Sequence, residues 1–147
     1  MNEEMPALQI IGLPKLPEVR PGDDLVGMIG DAIDESGNGL RDDDVLVVTQ
    51  KIVSKAEGQL VDLRTVEPSA FALDFAEQWD KDPRQVEMVL RESKRIVRMD
   101  HGVLITETRH GFVCANSGVD ASNVEADTVC LLPVDPDSSA HRRRSWH

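Results

Sequence analysis

Residues 110–124 read HGFVCANSGVDASNV, and this stretch joins a short apolar segment to a loop of small polar residues. The apolar segment at 112–115 predicts a buried strand, which the following Asn, Ser and Gly end. Asp120 lies in the loop, where a backbone of small residues can approach a ligand and a carboxylate can face a cation. The alternative is an Asx turn, in which Asp120 and Asn123 bond only local backbone amides. The residues leave both interpretations open.

Apolar segments on both sides of this stretch extend the predicted sheet. Residues 96–99 and 103–106 are strand-like, and short connections join them to each other and to 112–115, which predicts an antiparallel meander. A further strand is predicted at 129–132, and a helix that starts near residue 137 and continues into the sequence HRRRSWH is expected after it.

A continuous apolar run, VLVV at residues 45–48, predicts a strand that is covered on both faces. Gln50, Lys51 and Lys55 follow it directly. The end of a buried strand is where α/β sheets commonly bind ligands that carry phosphate. Because the sequence lacks a Walker A motif, surface lysines without a ligand remain the alternative on these residues alone.

The rest of the chain predicts two more strands and three helices. Short apolar runs at 8–11 and 59–63 are typical of strands. The helices are expected after Asp23 or Asp24, after Pro68 with its aromatic residues in the core, and at Asp82 and Pro83. Together these elements predict a single folding unit of α+β class, with a mixed, largely antiparallel sheet and flanking helices.

Composition excludes several functional classes. The 147 residues suit one domain, and 27 acidic against 16 basic residues give a net charge of −11, which disfavours binding to nucleic acid or an anionic membrane. No apolar run is long enough to span a bilayer and the N-terminus is acidic, so we expect a cytoplasmic protein. Cys114 and Cys130 are expected to be reduced and buried, and the four histidines do not cluster into a metal site.

Four segments carry a resemblance to a known family. They are VLVVTQKIVSKAEG, KDPRQVEMVLRESKRIVR, GVLITETRHGFVCANSGVDASNV and LLPVDPDSSA, in this order. Together they resemble the coenzyme F420:L-glutamate ligase family, also called gamma-glutamyl ligase. The sequence GVDASN with the downstream LLPVDPDSSA is the most specific of these motifs, whereas IGLP near the start is weak. The resemblance implies the fold of that ligase, with residues 1–147 as the N-terminal portion of its domain.

The resemblance also implies cofactors and site residues. Its members add L-glutamate to a deazaflavin precursor of coenzyme F420, with GTP as co-substrate and Mn²⁺ or Mg²⁺, and a monovalent cation is a further candidate. By this resemblance Asp120 is the catalytic residue and the metal ligand. The expected nucleotide contacts are Ile11, Gly12, Leu13, Pro14, Gln50, Lys51, Lys55 and Asn123.

The implied reaction is the activation of a carboxylate. GTP phosphorylates the terminal carboxylate of the precursor, and the amine of L-glutamate then displaces phosphate from the acyl phosphate to leave an amide. A homodimer is also implied. Because family members continue for about a hundred residues past this point, we expect a chain truncated at its C-terminus, and a non-catalytic nucleotide- or metal-binding fragment is the alternative.

Overall fold

A computed structural model describes residues 8–13 and 15–142. In this part of the chain five helices and five strands form two antiparallel sheets with helices beside them, which confirms the predicted α+β class. The helices are α1 (Leu25–Ser36), α2 (Gln50–Ala56), α3 (Ala70–Trp79), α4 (Pro83–Glu92) and α5 (Pro136–Arg142). The strands are β1 (Leu60–Asp62), β2 (Ser93–Asp100), β3 (Val103–Thr108), β4 (Val113–Ala115) and β5 (Thr128–Cys130).

Helix α1 packs against α2 through an apolar cluster. The carboxylate of Asp24 accepts a hydrogen bond from the Gly27 amide and starts α1, and Gly37 ends it with a left-handed backbone, φ 71°. The buried members of the cluster are Val19, Leu25, Ile29 and Ile33, with Ile52, Val53 and Ala56 of α2 packed against them. This contact fixes α2, which carries the two candidate lysines.

Strands β2, β3 and β4 form the predicted meander, and helices α3 and α4 cover it. The register pairs Ile96 with Thr106 and Thr106 with Cys114. Ala72, Phe75 and Ala76 of α3 belong to the buried cluster here, with Val86, Val89 and Leu104. Strands β1 and β5 form the second sheet, in which Leu60 faces Cys130.

Val119 joins these two parts of the molecule. It packs against the cluster under the meander and also against a second cluster formed by Leu63, Val66, Met88, Val129 and Leu131. Since Asp120 follows directly, its position in the fold is set by two cores at once.

Three expectations are wrong: a strand at 8–11, a covered strand at 45–48, and the burial of the strand at 112–115. Residues 45–48 lie outside any strand, and Val45 and Val47 are exposed. Residues 8–11 are likewise exposed and outside any strand, and β4 is an edge strand whose Val113 is also exposed. The reason is common to all three, because an apolar run is buried only where a second layer covers it. In the described part of the chain no strand pairs with 8–11 or 45–48.

The aromatic residues of α3 are only partly in the core. Phe75 is buried, but Phe71 and Trp79 lie at the surface, 41% and 36% exposed. The Phe71 ring stacks on Phe75 with 6.0 Å between the ring centroids, so it extends the core outward rather than filling it.

Candidate active site

The candidate site brings Lys51 of α2 to the loop that contains Asp120. The Lys51 ammonium lies 2.5 Å from Oδ2 of Asp120 and also donates to the hydroxyl and the carbonyl of Ser122, at 2.6 and 2.8 Å. These groups are 69 to 71 positions apart in the sequence, so the fold itself assembles this cation and this anion. The sequence had placed Lys51 and Asp120 in separate motifs, and it had given Ser122 no role.

The loop holds the Asp120 carboxylate by its backbone. Asp120 and Cys130 exchange main-chain hydrogen bonds of 3.0 and 2.8 Å, which attach the loop to β5. The Ser122 amide donates to Oδ1 of Asp120 at 2.7 Å, so the Asx turn expected as the alternative is present, in addition to the contact with Lys51. One carboxylate oxygen is thus held locally, and the other faces the lysine.

Asp120 is strongly acidic in this setting. Burial raises its pKa, but hydrogen bonds from Lys51 and from the amide and hydroxyl of Ser122 outweigh that effect and lower the pKa to about 2. The carboxylate is therefore ionised at any physiological pH. Its side chain is 42% exposed, so it remains accessible to a ligand from solvent.

Lys55 lies one helical turn beyond Lys51 but has a different partner. Its side chain is buried, and its ammonium donates to the carboxylate of Glu18, which is exposed. Glu18 belongs to the proline-rich segment before α1 and was not predicted as a site residue, because nothing in the sequence around it indicates a partner for Lys55. Lys51 and Lys55 both lie close enough to Cys130 to act on its thiol, although burial has the largest effect and raises the pKa of that thiol.

Gln50 lies at the edge of a cavity next to this site. Its side-chain amide donates to the Ser54 hydroxyl and to the carbonyl of Leu131, the latter at 3.3 Å. The cavity measures about 350 Å³, and its walls are mostly apolar, formed by Val53, Phe112, Leu132, Pro133, Pro136 and Ala140 with Gln50 and Ser139. It is at the small end of the range for ligand pockets.

The remaining predicted nucleotide contacts are less closely grouped. Leu13 packs against the cluster of α1 and α2, whereas Ile11 and Gly12 are exposed. Pro14 lies outside the described residues. Asn123 is exposed with a left-handed backbone, φ 53°, three positions after Asp120.

Comparison with known proteins decides the family. The model of the F420-0:Gamma-glutamyl ligase family matches residues 14–145. The chain is 47% identical to a protein named coenzyme F420:L-glutamate ligase from Methanothermobacter thermautotrophicus, over 92% of this chain and 54% of the relative. It is also 47% identical to the protein of that name from Methanopyrus kandleri, over 95% of this chain and 54% of the relative. A relative in Archaeoglobus fulgidus with this name is 36% identical, over 93% of this chain and 53% of its own length.

This chain belongs to the F420-0:gamma-glutamyl ligase family. It spans about half the length of the curated relatives it matches. Membership confirms the resemblance that its motifs carry, from VLVVTQKIVSKAEG to LLPVDPDSSA. No helix among the described residues is long and apolar enough to cross a membrane.

The donor set at Asp120 sets a limit on metal binding in this family member. Within residues 8–13 and 15–142, no group of three histidine, cysteine, aspartate or glutamate side chains lies together as a metal cluster. Asp120 and Ser122 offer oxygen atoms of the hard type that Mg²⁺ and Mn²⁺ prefer. These atoms fit one side of an ion that is shared with phosphate, and they do not fit an ion held by the protein alone.

The cysteines take no part in a cluster of this kind. Both are free thiols: Cys130 is buried and Cys114 is half-buried. The expected burial holds for Cys130, whereas Cys114 is less buried than predicted.

Proposed function

We propose that this chain acts in the GTP-dependent addition of L-glutamate to a coenzyme F420 precursor, through an acyl phosphate. The observation that carries the proposal is the assembly of Lys51, Asp120 and Ser122 at one point of a chain that belongs to the ligase family. The curated relatives are named for ligation of L-glutamate to coenzyme F420. An ammonium, a carboxylate and a hydroxyl meet at this point, and such groups bind a nucleoside triphosphate and its metal ion.

The lysines supply the positive charge for the phosphates. Lys51 has its ammonium against Asp120 and Ser122, and Lys55 has its ammonium held in place by Glu18. A phosphate that approaches Lys51 competes with Asp120, because both are anions that want the same donor. Asn123, exposed three positions after Asp120, can donate to or accept from the base or the ribose.

Asp120 would hold a divalent cation together with the phosphates. Its low pKa keeps the carboxylate ionised, and Oδ2, which pairs with the Lys51 ammonium, would be the oxygen offered to the cation. A bound Mg²⁺ or Mn²⁺ would offset the charge of the phosphoryl oxygens. The protein itself positions the reacting groups and supplies no covalent nucleophile, which is consistent with a buried Cys130.

A second candidate function is nucleotide or metal binding without catalysis. Two observations favour it for this polypeptide: the lack of a group of three metal-ligating side chains among the residues that the structure describes, and the match to only about half of each relative. A homodimer and a cytoplasmic location also remain predictions.

The test is a calorimetric titration of the chain with GTP, with and without Mn²⁺, followed by mass spectrometry of the precursor after incubation with GTP and L-glutamate. Metal-dependent GTP binding with a glutamate adduct supports ligation. Metal-dependent binding without an adduct supports the second function. Absence of binding in a folded sample contradicts both.

Two variants with matched controls sharpen this test. Asp120→Asn is expected to abolish the metal dependence of GTP binding, whereas Asp62→Asn should leave it unchanged. Asp62 is a matched control because it is also ion-paired, accepts a hydrogen bond from a nearby amide and has a pKa of about 2. Lys55→Ala should weaken GTP binding by about 10-fold or more and guanosine binding much less, as expected for a charge-assisted bond to phosphate. Lys94→Ala, which removes an exposed ion-paired lysine, is its control.

A further inference from the structure

Two segments outside any helix or strand, 8–11 and 45–48, expose apolar side chains that a folded protein normally covers. Val45 and Val47 are 84% and 85% exposed, and Leu8 and Ile10 are 88% and 87% exposed. In the run 45–48 the other two side chains are less exposed, so exposure alternates with the period of two that is typical of a strand with one covered face. Exposed apolar surface of this kind marks an interaction site.

The backbone of these segments is also available for pairing. In the described part of the chain, residues 8–12 and 45–48 make no main-chain hydrogen bond to another segment. An extended segment with free amides and carbonyls is a template for strand addition, in which main-chain bonds supply affinity and alternate side chains supply specificity. The two segments therefore combine the two properties of an unpaired sheet edge.

Both segments are joined to one core cluster, and the segment 45–48 continues into α2, the helix that carries Lys51. Val48 and Leu13 pack against the cluster of α1 and α2, which fixes the inner end of each segment. Gln50 and Lys51 follow the first segment, and Ile11 and Gly12 are the end of the second. A polypeptide that covers these segments thus lies beside the residues proposed to bind the nucleotide.

We propose that residues 8–11 and 45–48 are strand-pairing sites for the part of the family chain that this polypeptide does not match. The curated relatives have nearly as much chain again outside the match, since this chain corresponds to 54% of two of them. A polypeptide of that length is a partner of the right chemistry, because any strand it forms offers main-chain donors and acceptors to an unpaired edge and alternate side chains to its apolar face. The inference rests on family membership and not on the ligase activity.

Hydrogen exchange tests the proposal without any nucleotide. In a chimera, this chain is joined to the unmatched part of the Methanothermobacter relative, and amide exchange at 45–48 is compared with that in the 147-residue chain. Pairing is expected to slow exchange there by about 100-fold or more. A folded chimera with unchanged exchange overturns the proposal. If the chimera does not fold, amide exchange is measured in the intact relative at the residues that correspond to 45–48. Slow exchange there supports the proposal, and exchange as fast as in the 147-residue chain overturns it.

Two variants distinguish strand pairing from non-specific hydrophobic association. The double variant Val45→Lys with Val47→Lys is expected to remove the protection of 45–48 in the chimera. Leu73→Lys is the control, because Leu73 is an apolar side chain of α3 that is 51% exposed outside these segments. Equal effects of the two changes contradict the proposal.

A second copy of the chain is the competing occupant. Analytical ultracentrifugation of the 147-residue chain alone, with exchange measured on the same sample, distinguishes it. A monomer with fast exchange at 45–48 is expected. A dimer in which these residues are already protected overturns the assignment to the unmatched part of the family chain.

Discussion

Replacement of Ser117 by alanine should destabilise the protein far more than the loss of one surface hydroxyl. Ser117 is 1% exposed and lies below the loop that carries Asp120. Its hydroxyl is 2.7 Å from the hydroxyls of both Thr106 and Ser93, and its amide donates to the Thr106 oxygen at 3.0 Å. The Val89 carbonyl completes the group, 3.1 Å from the Ser117 oxygen.

The magnitude follows from what alanine leaves behind. Alanine keeps the amide that donates to the Thr106 oxygen, but the fully buried Thr106 hydroxyl loses the Ser117 oxygen as acceptor and retains only the Cys114 carbonyl at 3.5 Å, a poor hydrogen bond. A buried polar group that loses its partner costs about 1–3 kcal/mol. Ser117 also has a left-handed backbone, φ 52°, which an L-residue adopts only when its surroundings hold it there. We therefore expect Ser117→Ala to lower the free energy of unfolding by about 2 kcal/mol.

Urea denaturation measures this value, with Ser122→Ala as control. Ser122 has an exposed hydroxyl in the same loop, and its loss should change stability by less than about 0.5 kcal/mol. The double variant Ser117→Ala with Thr106→Val removes both partners, so it should cost clearly less than the sum of the single changes. Additive effects, or a Ser117→Ala cost equal to that of the control, would refute the argument from the buried network.

Two further predictions concern the supports of the site. Gly118→Ala should lower the free energy of unfolding by about 2 kcal/mol, because φ at this position is +71° and the new Cβ would lie 2.8–3.1 Å from the Leu132 side chain. Adding Leu132→Ala should relieve the steric part of this cost. Thermal unfolding measures both variants. Asp82→Ala should cost about 1 kcal/mol at pH 7, because Asp82 accepts the Arg84 amide at the start of α4. Arg84 lowers the pKa of Asp82 below its ordinary value of 3.8, so the stabilisation by Asp82 is present above about pH 4 and is lost as the pH falls through the lowered pKa. A stability difference between variant and parent that grows in acid contradicts this prediction.

The sequence predicted local structure well where neighbouring residues determine it. The caps of α1 and α4 and the meander of β2 to β4 follow from residues close together in the chain. Asp120 and Lys51 were predicted as site residues from separate motifs. Their contact across the fold was not predictable because it depends on how α2 packs beside β5, and the contact of Lys55 with Glu18 depends in the same way on how the segment before α1 packs on α2. The Ser117 network was missed for the same reason, since small polar residues after a strand also occur in any exposed turn.

The wrong prediction at VLVV has a different origin. The run 45–48 has the pattern of a strand in a covered sheet, and it is exposed in this chain. The apolar pattern of a segment reflects the neighbours that the segment has in the fold of its family. Its exposure in this structure reflects only the neighbours among the residues that the structure describes. If the unmatched part of the family chain pairs with 45–48, the pattern and the exposure agree. The segment that misled the prediction of burial is then the segment next to Lys51 at which the site is completed, so the same exchange measurement tests the interpretation of the sequence and the assembly of the site.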